Sequence, residues 1–168
     1  MRIPVEIKEM INEKARVPRI HFATSTRDGK PNVVPIGYVE VISDEEVLIV
    51  DTLMDKTRKN LEENPQVAIA VEVMEKFKVY QLKGKANIFT EGKVFEKAFE
   101  TQKRRDERRR LRYAREGLKE PGWARELHQR KPKAAVLVKV EEIYSTANPE
   151  QKIEEAWGGS PNFESVRK

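Results

Sequence analysis

β-Branched residues fill three stretches of this chain, 19–51, 66–90 and 134–146, and are nearly absent from 95–131. Val, Ile and Thr are stiff at χ1 and pack well on a pleated surface, so the pattern demands a β body that carries one helical segment. Charge follows the same division. Lys93 to Lys131 holds 14 basic and 7 acidic residues, a net of +7, whereas the rest holds 19 basic and 21 acidic, a net of −2. The chain is 168 residues long, the size of one domain. Residues 1–147 are expected to form that domain, with 93–131 as a basic helical insertion and 148–168 as a C-terminal tail.

Ile7, Met10 and Ile11 recur at helical spacing within Val5 to Ala15, and Pro18 stops that helix. Arg19 to Thr26 alternates as a strand, and Asp28-Gly29 is a turn that favours positive φ. The returning strand, Asn32 to Ile42, contains Pro35 and Gly37. Proline cannot donate a ladder hydrogen bond, so an edge, a bulge or an opened ladder is expected there. Val47 to Asp51 reads as a buried strand. Residues 52–65 (TLMDKTRKNLEENP) switch to helical period, capped by Thr52 or Asp55 and ended by Asn64-Pro65. Further strands follow at Gln66 to Glu72, Lys78 to Thr90 and Ala134 to Tyr144. Six strands in mostly antiparallel succession, with a short helix after the third, predict a mainly β fold of the α+β class. The expected architecture is a six-stranded antiparallel split β-barrel with the basic helical insertion before its last strand. An open α/β sheet would need helices after most strands.

Several chemistries are excluded. With no cysteine the chain has no disulfide, zinc-thiolate site, iron-sulfur cluster or thiol nucleophile. His21 and His128 lack the spacing of an HExxH site and read as packed or solvated side chains, so no metal is expected. Neither GxGxxG, GxxxxGK[ST] nor GxSxG occurs, which removes the local support for a dinucleotide fold, a P-loop or a serine-hydrolase elbow. The early charges Arg2, Glu6, Lys8 and Glu9 leave no room for a secretion signal, and no apolar run approaches the ~20 residues that span a bilayer. A cytoplasmic protein without membrane contact is the expectation.

What remains is the step from the third strand into its helix, Asp51-Thr52-Leu53-Met54-Asp55-Lys56-Thr57. A helix N-terminus offers free N–H groups and the positive end of its dipole, to which Lys56 and Thr57 add a cation and a hydroxyl. That combination suits a phosphate. On these residues alone the simpler reading, a solvated Lys56 beside a helix capped by Asp55, comes first, and the Asp55 carboxylate repels an anion unless it turns away.

The run ATSTRDGKPNVVPIGYVEV, followed by LIVDTLMDKTRKNLEENPQVAIAV and then VYQLKGKANIF, resembles the pyridoxamine 5′-phosphate oxidase-like family of FMN-binding split barrels. The resemblance covers roughly residues 4–100 and 134–146. Its most specific element is the pattern at Lys56, Thr57, Asn60, Leu61, Asn64 and Pro65, with the Gly37-bearing strand before it and Lys83-Gly84-Lys85-Ala86 after it. The resemblance implies a homodimer with FMN at the subunit interface, and an oxidoreductase acting on a small-molecule substrate or reductant. It assigns Lys56 and Thr57 to the phosphate, with Asn60 one turn on, and the backbone around Val34, Pro35, Ile36 and Gly37 to the isoalloxazine. Asp51 and Thr52 would lie near the ribityl chain, and Gln81 would make a contact from either subunit. Val34 and Val39 stand where pyridoxamine phosphate oxidases carry an Arg and a Lys, so the resemblance implies flavin binding more than vitamin B6 oxidation. A deazaflavin is the alternative occupant of the same groove.

No catalytic acid or base is demanded. Thr24, Thr26 and Tyr38 are the hydroxyls near the expected ring, and Trp157 in the tail could cover it. Lys103 to Arg115 (KRRDERRRLRYAR) has eight basic and two acidic residues among thirteen, and the family does not explain it. One reading is an arm for the phosphates of nucleic acid or of a phosphorylated cofactor, with Tyr113 and Trp123 available to stack. The other is a solvated helix whose arginines pair with Asp106, Glu107 and carboxylates of a partner subunit. A nucleic-acid-binding β-barrel module is thus the alternative function.

Overall fold

A computed structural model describes residues 1–12, 19–73, 78–145 and 148–152. The elements run α1 (Val5–Asn12), β1 (Arg19–Ser25), β2 (Pro31–Pro35), β3 (Val39–Val41), β4 (Glu46–Asp51) and α2 (Asp55–Glu63). They continue with β5 (Gln66–Val73), β6 (Lys78–Phe89), α3 (Gly92–Glu116), α4 (Gly122–His128), β7 (Ala134–Ser145) and β8 (Asn148–Lys152). All strand pairs are antiparallel, in the order β2-β1-β5-β6-β7-β4-β3, with β8 added on β7.

The two ends of that order are consecutive in sequence. Only Ile36, Gly37 and Tyr38 separate β2 from β3, a span of about 14 Å at most from Pro35 to Val39. A sheet whose first and last strands are so tethered has to curl until its edges meet, which makes it a split barrel. The change of partner occurs within the bend: the Ile36 amide still donates to Ile20 O of β1 at 3.0 Å, while Tyr38 O already accepts from the Val50 amide of β4 at 2.9 Å. The expected single strand over 32–42 is therefore two strands on opposite edges, broken at Pro35 where the ladder cannot continue. This break and the addition of β8, at the start of the expected tail, are why more strands are present than the six expected.

The barrel interior is filled by Phe22, Ile69, Leu82, Val138, Val140 and Ile143 among others. Ile7, Met10 and Ile11 of α1 join this core, and Glu6 fixes the helix to the start of β6 by accepting hydrogen bonds from Lys78 and, at 2.9 Å, the Tyr80 hydroxyl. Tyr80 is pushed well above its ordinary pKa by burial and by that carboxylate. Leu61 of α2 enters the same core and α2 leads into the start of β5, so α1 and α2 lie toward opposite ends of β5.

β4 is apolar on both faces for a reason the topology supplies. Val47 and Ile49 point into the barrel, whereas Leu48 and Val50 point outward and meet Ala98 of α3. α3 thus covers the outside of β4 and β7. A β-bulge between Lys83 and Gly84 shifts the register against β7, and a Cβ at Gly84 would stand 2.0 Å from Lys139 O, so only glycine fits. Among the described residues no helix is long and apolar enough to cross a membrane.

Candidate functional site

The step from β4 into α2 forms a polar corner. Asp51, 1% exposed, organises it: its Oδ1 accepts from the Met54 amide at 2.9 Å and its Oδ2 accepts from Arg58 Nε at 2.8 Å and from Arg58 Nη2. The expected cap by Thr52 or Asp55 is not made, since no side chain caps α2 at Met54. Asp55 instead turns outward, with its side chain 86% exposed and 3.8 Å from Lys133 Nζ. Its carboxylate therefore leaves the helix end free for an anion. Among the described residues no acceptor meets the first-turn amides of Lys56 and Thr57, and the Lys56 side chain is exposed beside them.

Beneath this end lies a buried hydrogen-bond network. Asn32 Nδ2 of β2 donates to Thr57 Oγ1 at 3.1 Å and to Thr24 Oγ1 at 3.2 Å, and Asn60 Nδ2 donates to Thr24 Oγ1 at 3.0 Å. Thr57 is 2% exposed, and Thr24 and Asn60 are also buried. Asn64 continues the line by donating to Ser25 Oγ at 2.9 Å. Amides and hydroxyls, with no carboxylate among them, join α2 to the start of β2. Sequence reasoning singled out Thr57 and Asn60 but missed Asn32, which lies outside the α2 pattern; only the β1–β2 register, Thr24 opposite Asn32, brings it in.

Lys56, Thr57, Asn60, Asp51 and Thr52 thus share one corner, and β2 carries Val34 and Pro35 away from it toward Ile36 and Gly37. Space is open before Gly37, where a Cβ would meet nothing within 4 Å. Gln81 stands apart. On the sheet it belongs to the row Pro35, His21, Ala70, Gln81, three strand spacings or roughly 14 Å from β2. Of the expected hydroxyls, Thr24 belongs to the network and Thr26 to the hairpin turn, where it bonds Asp28 and accepts from the Lys30 amide at 2.9 Å. Tyr38 points to the outside, under α3. Trp157 lies outside the described residues.

Much of the basic segment faces inward. Arg104 pairs with Glu40, Arg105 donates to Val39 O and Ile11 O, Arg108 donates to Asn12 O at 2.9 Å, and Arg109 pairs with Asp106 at 2.8 Å and Glu120 at 3.0 Å. These arginines find partners within the same chain. Burial pulls Arg105 down to about 10. Among the described residues no cluster of His, Asp and Glu is arranged to hold a metal.

A family model described as pyridoxamine 5′-phosphate oxidase matches residues 4–147. A protein of Methanocaldococcus jannaschii described as uncharacterized protein MJ0282 is 35% identical over 128 residues, covering 75% of this chain and 71% of its own. Among solved structures, HupZ of Group A Streptococcus superposes with a TM-score of 0.62 at 26% identity, covering 86% of this chain and 94% of its own. An FMN-binding protein from Syntrophomonas wolfei gives a TM-score of 0.60 at 17% identity, covering 83% of this chain and 82% of its own.

Proposed function

Because the chain belongs to the pyridoxamine 5′-phosphate oxidase family, we propose that it is an FMN-binding flavoprotein with oxidoreductase activity, working as a homodimer. The observation that carries this reading is the α2 corner, where the amides of Lys56 and Thr57, with no acceptor among the described residues, stand over a buried network that contains no carboxylate. Backbone donors, a helix dipole and one ammonium together suit a terminal phosphate dianion. Thr57 and Asn60 hold the corner's shape from below, and Asp51 fixes the turn that exposes the amides while Thr52 follows it toward the ribityl chain. The ring then lies along Val34, Pro35, Ile36 and Gly37, where the ladder breaks and the space before Gly37 is open.

Bound FMN supplies the hydride or electron transfer; the chain supplies position, hydrogen bonds to the ring edge and exclusion of water. A dimer accounts for two features. The outward face of β2, β1 and β5 carries Val33, 64% exposed, beside the small side chains Ala23, Ala68 and Ala70. Gln81, too far along its own sheet to reach the same site, comes to the ring from the second copy. The nucleic-acid reading of 103–115 has less to stand on, because Arg104, Arg105, Arg108 and Arg109 are engaged by the chain itself.

Protein purified under native conditions is expected to be yellow, absorbing near ~450 nm as oxidised flavins do, or to take up added FMN with a rise in melting temperature. Lys56→Ala should weaken FMN by about 1.5–3 kcal/mol, the range of a charged hydrogen-bonding partner. A colourless protein that FMN does not stabilise overturns the reading. Reduction assays with NADH, NADPH and a reduced deazaflavin then identify the electron donor and separate FMN from the deazaflavin alternative.

A further inference from the structure

The residues on either side of the barrel's closing bend are held very differently. Before it, Val33 and Pro35 of β2 are exposed; after it, every residue from Tyr38 to Glu40 is gripped by α3. The Tyr38 hydroxyl donates to Asp106 Oδ1 at 2.7 Å, and Arg109 Nη1 reaches that hydroxyl at 3.4 Å. Arg105 donates to Val39 O, and Glu40 accepts from Thr101 Oγ1 at 2.7 Å and from Arg104. β3 is three residues long and has one ladder partner, β4, so the sheet alone holds it weakly. On the outer side of β3, where no strand pairs among the described residues, Arg105 of α3 takes Val39 O and Asn12 of α1 takes both backbone groups of Val41, while α3 holds the side chains of Tyr38 and Glu40. Tyr38 is the link nearest the bend, its ring packed against Leu48, Val50 and Ala98 and its hydroxyl tied by Asp106.

We propose that the arginine-rich helix is a strut for the cofactor site: it fixes the backbone of 36–38 in the shape the flavin ring requires, with Tyr38 as the positioning residue. The inference rests on the flavin reading and gives the basic segment a task within it. Tyr38 never touches the ring; its side chain faces α3 while its backbone belongs to the bend. Asp106 and Arg109 keep the phenol in one orientation, and that orientation sets where Gly37 and Ile36 stand.

Tyr38→Phe removes the hydroxyl and keeps the packing, and Asp106→Asn weakens the same link from the helix side. In ligand-free protein both are expected to speed hydrogen exchange of the Ile36 and Val50 amides, whose bonds flank the bend, by about tenfold with no change in α2. In FMN titrations both are expected to raise the dissociation constant by about tenfold and to shift the visible flavin band, which a loss of global stability alone does not do. Unchanged exchange in both variants overturns the strut. Raised exchange with unchanged FMN affinity and spectrum overturns the positioning role. If the wild-type chain binds no FMN at all, the flavin reading falls first, and the exchange experiment still decides whether α3 holds the bend.

Discussion

Two of the helices around this barrel, α2 and α3, are dense in charge, yet they use it in opposite ways. α2 has nine residues, no side-chain cap and two first-turn amides, of Lys56 and Thr57, that meet no acceptor among the described residues, and it turns Lys56 and Asp55 to solvent. α3 has 25 residues, ends on Gly117 in the left-handed conformation, and directs Arg104, Arg105 and Arg109 onto the barrel wall. A charge run in a sequence therefore says little until the carbonyls and carboxylates it meets are known. The helix with fewer cations has the donors to spare, while much of the helix richest in arginine is engaged in holding its own fold.

That contrast is open to breakage at four points. Arg105→Ala should have the largest effect, about 3 kcal/mol off unfolding stability in a urea titration, since Val39 O and Ile11 O both lose a charged donor. Thr57→Val comes next. It removes one of the two acceptors of the Asn32 amide, and a loss of about 1–2 kcal/mol is expected by the same measurement. Glu40→Gln tests the α3 contact by pH. Burial pushes the Glu40 carboxyl up, but the hydrogen bonds from Thr101 and Arg104 outweigh it and hold it below its ordinary value of 4.5. Its stabilisation is therefore complete above that pH and is lost as pH falls through the lower folded value. The variant should lose about 1 kcal/mol at pH 7 and show a flatter acid limb, with the two proteins converging in strong acid. Arg110→Ala, on the exposed side of α3, should change stability by less than about 0.5 kcal/mol; a loss as large as that of Arg105→Ala would erase the distinction between inward and outward arginines.

The β body was legible because period and composition agree there. The Asp28-Gly29 turn has Gly29 at φ 88°, and β4, β5, β6 and β7 begin and end within a residue or so of the expected positions. Pro35 flagged the place where the second strand fails, but not that the two halves pair with opposite edges, because partner choice is a property of the closed sheet. Asp51 shows the limit at the site. Its position near α2 was readable, whereas its grip on the Met54 amide and Arg58, which displaces Thr52 and Asp55 as caps, depends on a three-dimensional turn. The direction of the α3 arginines was illegible for a similar reason: Arg105 and Arg108 turn to backbone carbonyls of α1 and β3, and carbonyls carry no signature in sequence.

The three residues between β2 and β3 also constrain how this chain can vary in length. Side chains alternate between the two faces of a sheet, so one residue inserted at 36–38 would turn Val39 and Val41 from the interior to the exterior and carry Tyr38 and Glu40 the other way. An insertion at the 27–30 hairpin leaves every pairing intact. Functional relatives are therefore expected to differ freely at that hairpin while holding the clasp to a fixed count, as a buckle tolerates any length of strap except within itself.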